Sequence, residues 1–195
     1  MPNHEPGPRV TYQCLDPETE IMVPQNSEDF SFKKLKNLIV GDEVITFDPK
    51  TLKLTKTKVI NHFIRPLRQD QTIYKVKIKS KGYSKFKEIL ATNDHLFYCH
   101  NFHKNESAWV KTENLKEFGF TPVFTDLIEN YSHSGFNIPE IEIENLGHDY
   151  LSKIADITTE SENHSFIANG FLVHNSGMSK QALGLYNLNH HNIFR

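Results

Sequence analysis

Two nucleophilic side chains bracket the patterned part of the chain. Cys14 opens the run Cys14-Leu15-Asp16-Pro17-Glu18-Thr19-Glu20-Ile21, and Ser176 follows Val173-His174-Asn175. Between them lie Ala91-Thr92-Asn93-Asp94-His95, Asp156-Ile157-Thr158 and Asn163-His164-Ser165-Phe166-Ile167-Ala168-Asn169-Gly170. A thiol is the strongest side-chain nucleophile near neutral pH, and a hydroxyl needs a base to take its proton. Imidazoles supply that acid–base chemistry. Singly, each feature has an ordinary explanation. Thr-Asn-Asp-His suits a loop closed by a capping Asp, and a chain with 11 histidines places one near most sites by chance. The set, in this order, is what points to chemistry.

These residues are set among short strand-like runs. Glu20–Val23, Glu43–Phe47, Thr57–Ile64, Glu88–Thr92, His95–Tyr98, Ile154–Thr158, Ser165–Ala168 and Phe171–His174 are rich in β-branched and aromatic residues, and turn residues separate them. Ile73–Lys79 alternates apolar and charged residues, the period of a half-buried strand. Asn169-Gly170 between two apolar runs is a strong hairpin signal. Helical periodicity is weak: Phe32–Leu38 and Lys111–Lys116 have room for a turn or two each. Those two segments resemble each other loosely, an aromatic and a polar stretch leading to Asn-Leu and then a Gly, which hints at an internal duplication. The stretch from Phe102 to Asp149 is more polar and irregular, with Ser132–Gly135 as a loop tip. The pattern as a whole predicts an all-β domain with short helices. Residues 1–13 read as a Pro-rich tail, and residues 176–195 shift to a Gly/Asn/His-rich composition.

Taken together, the motifs resemble the sequence blocks of inteins, members of the Hint superfamily shared with hedgehog autoprocessing domains. Cys14 with an apolar neighbour and Thr19 at its sixth position matches the first block. Thr92-Asn93-Asp94-His95 matches the Thr-x-x-His block, and Asp156 to Asn175 resembles the paired C-terminal blocks, terminal His-Asn included. The resemblance implies the all-β Hint horseshoe with pseudo-two-fold duplication. It also implies three segments: 1–13 and 176–195 as flanking exteins, and 14–175 as the splicing domain. The resemblance then assigns roles. Cys14 attacks the Gln13 carbonyl in an N-to-S acyl shift, with His95 protonating the leaving amine and Thr92 and the amides around Asn93-Asp94 contacting the carbonyl. Asp156 tunes the transfer of the acyl group to Ser176. Asn175 then cyclises, assisted by His174 and His164, and an O-to-N shift joins Gln13 to Ser176.

Joining the flanks gives Pro8-Arg9-Val10-Thr11-Tyr12-Gln13-Ser176-Gly177-Met178-Ser179-Lys180-Gln181-Ala182-Leu183-Gly184. This resembles a stretch of the second-largest subunit of eukaryotic- and archaeal-type DNA-directed RNA polymerases, so that two half-motifs become one on excision. Inserted homing endonucleases carry paired acidic residues on Gly-bearing helices. No such motif is present here, so the resemblance is to a mini-intein.

Charge and composition narrow the partners. The chain has 22 Lys+Arg against 24 Asp+Glu, a formal net charge of −2, which argues against a general nucleic-acid or anionic-membrane binder. No apolar run approaches the ~20 residues of a membrane span, and the N-terminus lacks an apolar signal core. The expectation is an intracellular monomer, located with its host polymerase and acting in cis on its own flanks. No cofactor or metal is implied, since no metal-ligand spacing is present. Of the two cysteines, Cys99 reads as a buried apolar residue in Leu96-Phe97-Tyr98-Cys99. A hedgehog-like autoprocessing domain shares Cys14 and the Thr-x-x-His block but needs no terminal His-Asn-Ser. A cysteine hydrolase using Cys14 and His95 gives no reason for the flanks to join. A splicing-inactive insert is the third alternative.

Overall fold

The computed structural model describes residues 13–175 except 27–28, 49–50, 52, 80–86, 117–118, 124 and 126–138. Ser176, both flanks and the loop tip at 132–135 lie outside the described residues.

Thirteen strands are described: β1 (Glu20–Pro24), β2 (Phe30–Lys34), β3 (Glu43–Asp48), β4 (Lys53–Pro66), β5 (Ile73–Lys79), β6 (Lys87–Thr92), β7 (Leu96–Asn101), β8 (Glu106–Lys111), β9 (Thr121–Pro122), β10 (Glu140–Gly147), β11 (Lys153–Thr159), β12 (Ser165–Ala168) and β13 (Phe171–His174). The two segments expected to be helical are different. Phe32–Lys34 is the end of β2, and only Leu35–Asn37 turns, as a 3-10 turn; likewise Lys111 ends β8 and Thr112–Asn114 is a 3-10 turn. β-branched and aromatic residues ahead of each turn favour extended backbone, and one turn is too short to recover the cost of helix nucleation. The stretch read as irregular holds β8, β9 and β10. Asn169 and Gly170 carry φ of 46° and 82°, the left-handed pair that a two-residue hairpin loop requires. Among the described residues no helix is long and apolar enough to cross a membrane.

Counting the two three-stranded sheets as one layer joined through Leu15, two layers organise the molecule, and the strand order of each is near-symmetric, β9 pairing β7 off the path of the first. In the first, the order is β2-β1-β12-β13-β7-β8, so that the β12–β13 hairpin is flanked by two strand pairs. In the second, Leu15 pairs with Ala91 of β6 on one side and Ala155 of β11 on the other. Residues 14–16 thereby join β10-β5-β6 to β11-β4-β3. In that order residues 14–16 are central, with three strands on either side. The turns repeat the symmetry bond for bond. Leu35 N–H donates to the Thr19 carbonyl at 2.8 Å and Lys36 N–H to that of Pro17 at 3.0 Å. In the second half Thr112 N–H donates to His95 at 2.9 Å and Glu113 N–H to Asn93 at 3.1 Å. The turn that carries Thr19 in one half therefore carries His95 in the other.

The faces of the second layer differ. Leu15, Ala91, Ala155, Ile157 and Val76 join the main core with Phe97, Phe166 and Phe171. The opposite face holds a small cluster of Cys14, Ile73 and Ile154. Because side chains alternate along a strand, placing Leu15 in the core points Cys14 to this second face.

Candidate functional site

The register of the second layer puts the residues expected at an N-terminal junction in a row. Extending the Leu15–Ala155 and Leu15–Ala91 pairs by one residue sets Cys14 opposite Asp156 on β11 and Thr92 on β6. Opposed residues share a face. Thr92 N–H donates to the Cys14 carbonyl at 2.9 Å. A regular ladder would return the Cys14 N–H to the Thr92 carbonyl. That carbonyl instead accepts the His95 N–H at 3.0 Å, and the Cys14 N–H donates to Thr92 Oγ1 at 3.1 Å. The nitrogen of the Gln13–Cys14 peptide bond is thus held by a hydroxyl. The Asn93 N–H, one of the amides expected at the Gln13 carbonyl, donates to Thr72 at 2.9 Å.

The Cys14 thiol is fully buried, and burial pushes it well above the usual thiol range. The Asp156 carboxylate pushes it further up and Arg65 pulls it back. Arg65 Nη2 lies 3.5 Å from Cys14 Sγ. Asp156, itself fully buried, accepts the Ile157 N–H at Oδ1 (2.8 Å).

At the other junction the chain leaves β13 through His174 into Asn175. Asn175 lies between two histidines. Its N–H donates to the His164 carbonyl at 2.8 Å. On the other side the Val173–Phe97 register, continued by two residues, sets it level with His95. His174 Nδ1 is 2.6 Å from the Asn175 carbonyl oxygen. That oxygen only accepts, so Nδ1 carries a proton. Burial lowers the His174 pKa to about 4, so the ring is neutral at pH 7 and that is its single proton. Trp109 meets the His174 ring edge-on at 5.0 Å, and His164 sits 6.3 Å away on a strained backbone with φ 48°. The Asn175 side chain is fixed too: Nδ2 donates to Thr159 Oγ1 at 2.8 Å. The Thr159 hydroxyl is in turn within 2.9 Å of Ser161 Oγ and donates to the Ser165 carbonyl at 3.5 Å. It therefore faces Asn175 as an acceptor.

His95 is tied to both groups: its N–H donates to the Thr92 carbonyl and its ring lies within the influence of His174. It is fully buried, and neither ring nitrogen has a hydrogen-bond partner among the described residues. Its pKa falls to about 3, through burial first and the His174 ring second.

Of the residues expected from the sequence, Cys14, Thr92 and Asp156 are brought together at one junction, and His164, His174 and Asn175 at the other. His95 is adjacent to the second. Ser176 is outside the described residues. Sequence reasoning missed Arg65, Thr159 and Trp109. Arg65 in Ile64-Arg65-Pro66 has nothing to distinguish it from other charged strand residues. Thr159 follows the alternation of Ile157 toward the main core, opposite Val59 across a register shift that leaves Ile60 of β4 unpaired, and nothing in its local sequence marks it.

No family model matches the chain. Solved structures do resemble it. A crystal structure of a DnaB intein from Synechocystis superposes with a TM-score of 0.60 at 18% identity, covering 85% of this chain and 99% of that one. The fold is that of an intein. The DnaX mini-intein from Spirulina platensis matches with a TM-score of 0.53 at 22% identity over 83% of this chain and 99% of that one. A bacterial intein-like domain from Clostridium thermocellum matches at 0.54 and 20% identity, over 83% and 98%. The all-β Hint architecture with its internal duplication, expected above, is therefore present. Among curated proteins, a DNA-directed RNA polymerase III subunit of Dictyostelium discoideum is 31% identical over 102 residues, 52% of this chain. The match spans only 6% of that subunit's length.

Proposed function

We propose that residues 14–175 are a mini-intein that excises itself and joins Gln13 to Ser176 within a host RNA polymerase subunit. The observation that carries this reading is the state of Asn175. Cyclisation needs the side-chain amide held for attack and the backbone carbonyl polarised. Thr159 binds the first at 2.8 Å and His174 Nδ1 the second at 2.6 Å. A hydrolase or a hedgehog-like domain has no use for that arrangement.

The chemistry follows in balanced steps. Cys14 Sγ attacks the Gln13 carbonyl, the Gln13–Cys14 C–N bond breaks, and the thiol proton ends on the Cys14 amine. His95 suits that transfer. It is neutral at pH 7 and free to take a proton, and its imidazolium, with a pKa of about 3, surrenders the proton readily to an amine. Ser176 then loses its proton and takes the acyl group, regenerating the Cys14 thiol, with Asp156 beside Cys14. Asn175 Nδ2 next attacks its own backbone carbonyl, forming a succinimide and breaking the Asn175–Ser176 bond. His174 polarises that carbonyl and His164 holds the Asn175 backbone. The Ser176 amine finally takes the acyl group from its own hydroxyl. Exteins 1–13 and 176–195 act as substrate in cis. The joined-flank motif and the Dictyostelium polymerase relative support the choice of host, and the element resides wherever that polymerase does.

The test is the C-terminal residue of the released 14–175 fragment. Mass spectrometry should find a succinimide at Asn175. A free acid at that position, formed from the outset, would mean hydrolysis and sink the cyclisation mechanism.

A further inference from the structure

The intein reading gives the Cys14 thiol a nucleophile's task in surroundings that oppose it. It is buried, faces Asp156 across the strand pair, and feels Asp94 as a second negative charge. Among the described residues one cation bears on the sulfur. Arg65 reaches it from β4, because Arg65 is paired with Ile154 and Asp156 with Phe63. Directly opposed residues share a face, and so do residues two apart on a strand, so Arg65 and Asp156 both point to the Cys14 side.

The guanidinium is held in place. Nη1 donates to the Pro66 carbonyl at 3.0 Å. Nη2 donates to Gln71 Oε1 at 3.1 Å and to Cys14 Sγ at 3.5 Å. Gln71 is itself buried and pinned on its other sides. Its Oε1 accepts the Arg68 N–H at 3.4 Å, its Nε2 donates to Asp94 Oδ1 at 3.4 Å, and its carbonyl meets His148 Nδ1 at 2.9 Å. Asp94 belongs to the turn that presents His95. The network therefore ties the thiol's cation to the element that carries the acid–base residue.

We propose that Arg65 is a catalytic residue of the first step, a guanidinium that stabilises the negative charge developing on the Cys14 sulfur as it loses its proton and attacks the Gln13 carbonyl. The inference rests on the splicing reading. Arg65 changes no atom balance: the sulfur still bonds the Gln13 carbonyl carbon, and the proton it loses still ends on the Cys14 amine. What Arg65 supplies is the charge that makes proton loss affordable beside Asp156 and Asp94. A planar guanidinium donates to Gln71 and to sulfur at once, which the single ammonium of Lys does less well.

The experiment uses the full chain and reads both junctions by mass spectrometry in the presence of added thiol, which releases residues 1–13 from the thioester. Arg65→Met keeps the side chain's length and removes its charge. It should slow N-terminal release at pH 7 by about tenfold or more, the scale of one charge-assisted hydrogen bond. C-terminal cleavage should stay within about twofold. Raising the pH should recover the Met variant more steeply than wild type, and Arg65→Lys should fall between them. Equal slowing at both junctions would mean that Arg65 is structural and would overturn the proposal, as would unchanged N-terminal release. If wild type cleaves at neither junction, the splicing reading fails on its own. Arg65 is then judged by iodoacetamide alkylation of Cys14, mapped separately from Cys99. Slower alkylation in Arg65→Met supports the contact, and an unchanged rate overturns it.

Discussion

The two proposed splice junctions lie in two layers of similar pseudo-symmetric design, yet they are prepared to different degrees. Around Asn175 the backbone N–H, the carbonyl oxygen and the side-chain amide nitrogen each have a partner at 2.6–2.8 Å. Around Cys14 the backbone is equally well held, but the reactive atom is not favoured: burial and Asp156 both raise the thiol's pKa. The contrast teaches where control can act. Under the proposed splicing function a cut at Asn175 before the acyl transfer would waste the element, so a C-terminal junction organised in advance puts the restraint on the chemistry of its carbonyl. At the N-terminal junction the restraint is electrostatic and sits on the sulfur.

The largest expected effect separates the junctions outright. Asn175→Ala removes the cyclising amide and should abolish C-terminal cleavage, while added thiol still releases residues 1–13. No thiol-dependent release from that variant would contradict the role given to Cys14. Next is His95→Ala, which should slow N-terminal cleavage by ~10²–10⁴, the usual worth of a positioned acid–base group, and C-terminal cleavage far less. Equal slowing would make His95 structural, a wedge between β7 and the β12–β13 hairpin.

Thr159→Val preserves shape and removes the acceptor of Asn175 Nδ2. C-terminal cleavage should slow by about tenfold, in line with one lost hydrogen bond, and Thr159→Ser should restore part of it. Thiol release of the N-terminal flank should be unaffected; a matching loss there would mean that the substitution disturbs the packing of β11, and that the hydroxyl itself is not what matters. The smallest effect is on stability. His95 and His174 hold their pKa values near 3 and 4 in the folded chain, against about 6.5 when unfolded. Between those values the unfolded chain binds more protons. Stability contributed by these rings is therefore complete above about pH 6.5 and is lost as the pH falls toward 4. Each contributes at most ~1.4 kcal/mol per pH unit. The urea midpoint should drop between pH 7 and pH 5, and a midpoint that does not move would mean that the rings are not buried as neutral groups.

Much of this was legible in the chain, unevenly. Strands with clean alternation or apolar runs, such as β5 and the β12–β13 hairpin, were placed from pattern alone, since Asn169-Gly170 fixes the turn and the turn fixes the register. β10 carried a usable signal in Glu140-Ile141-Glu142-Ile143-Glu144, lost in a segment otherwise polar. The loose likeness between Phe32–Leu38 and Lys111–Lys116 marks a true equivalence, that of two strand-and-turn units. Its sequence trace is faint because one copy serves a structural Thr19 and the other His95. Motif residues near the ends were readable because their types are chemically demanding. Arg65 and Thr159 were not, because each acts through a cross-strand pairing that no local pattern encodes.

The central claim is that the chain joins its own flanks. Incubating the purified chain at neutral pH and sequencing the small product by tandem mass spectrometry tests it most directly. The account predicts a peptide in which Gln13 is bonded through an ordinary amide to Ser176, appearing together with the free 14–175 fragment. Separate 1–13 and 176–195 peptides, with no joined product at any time, would contradict it.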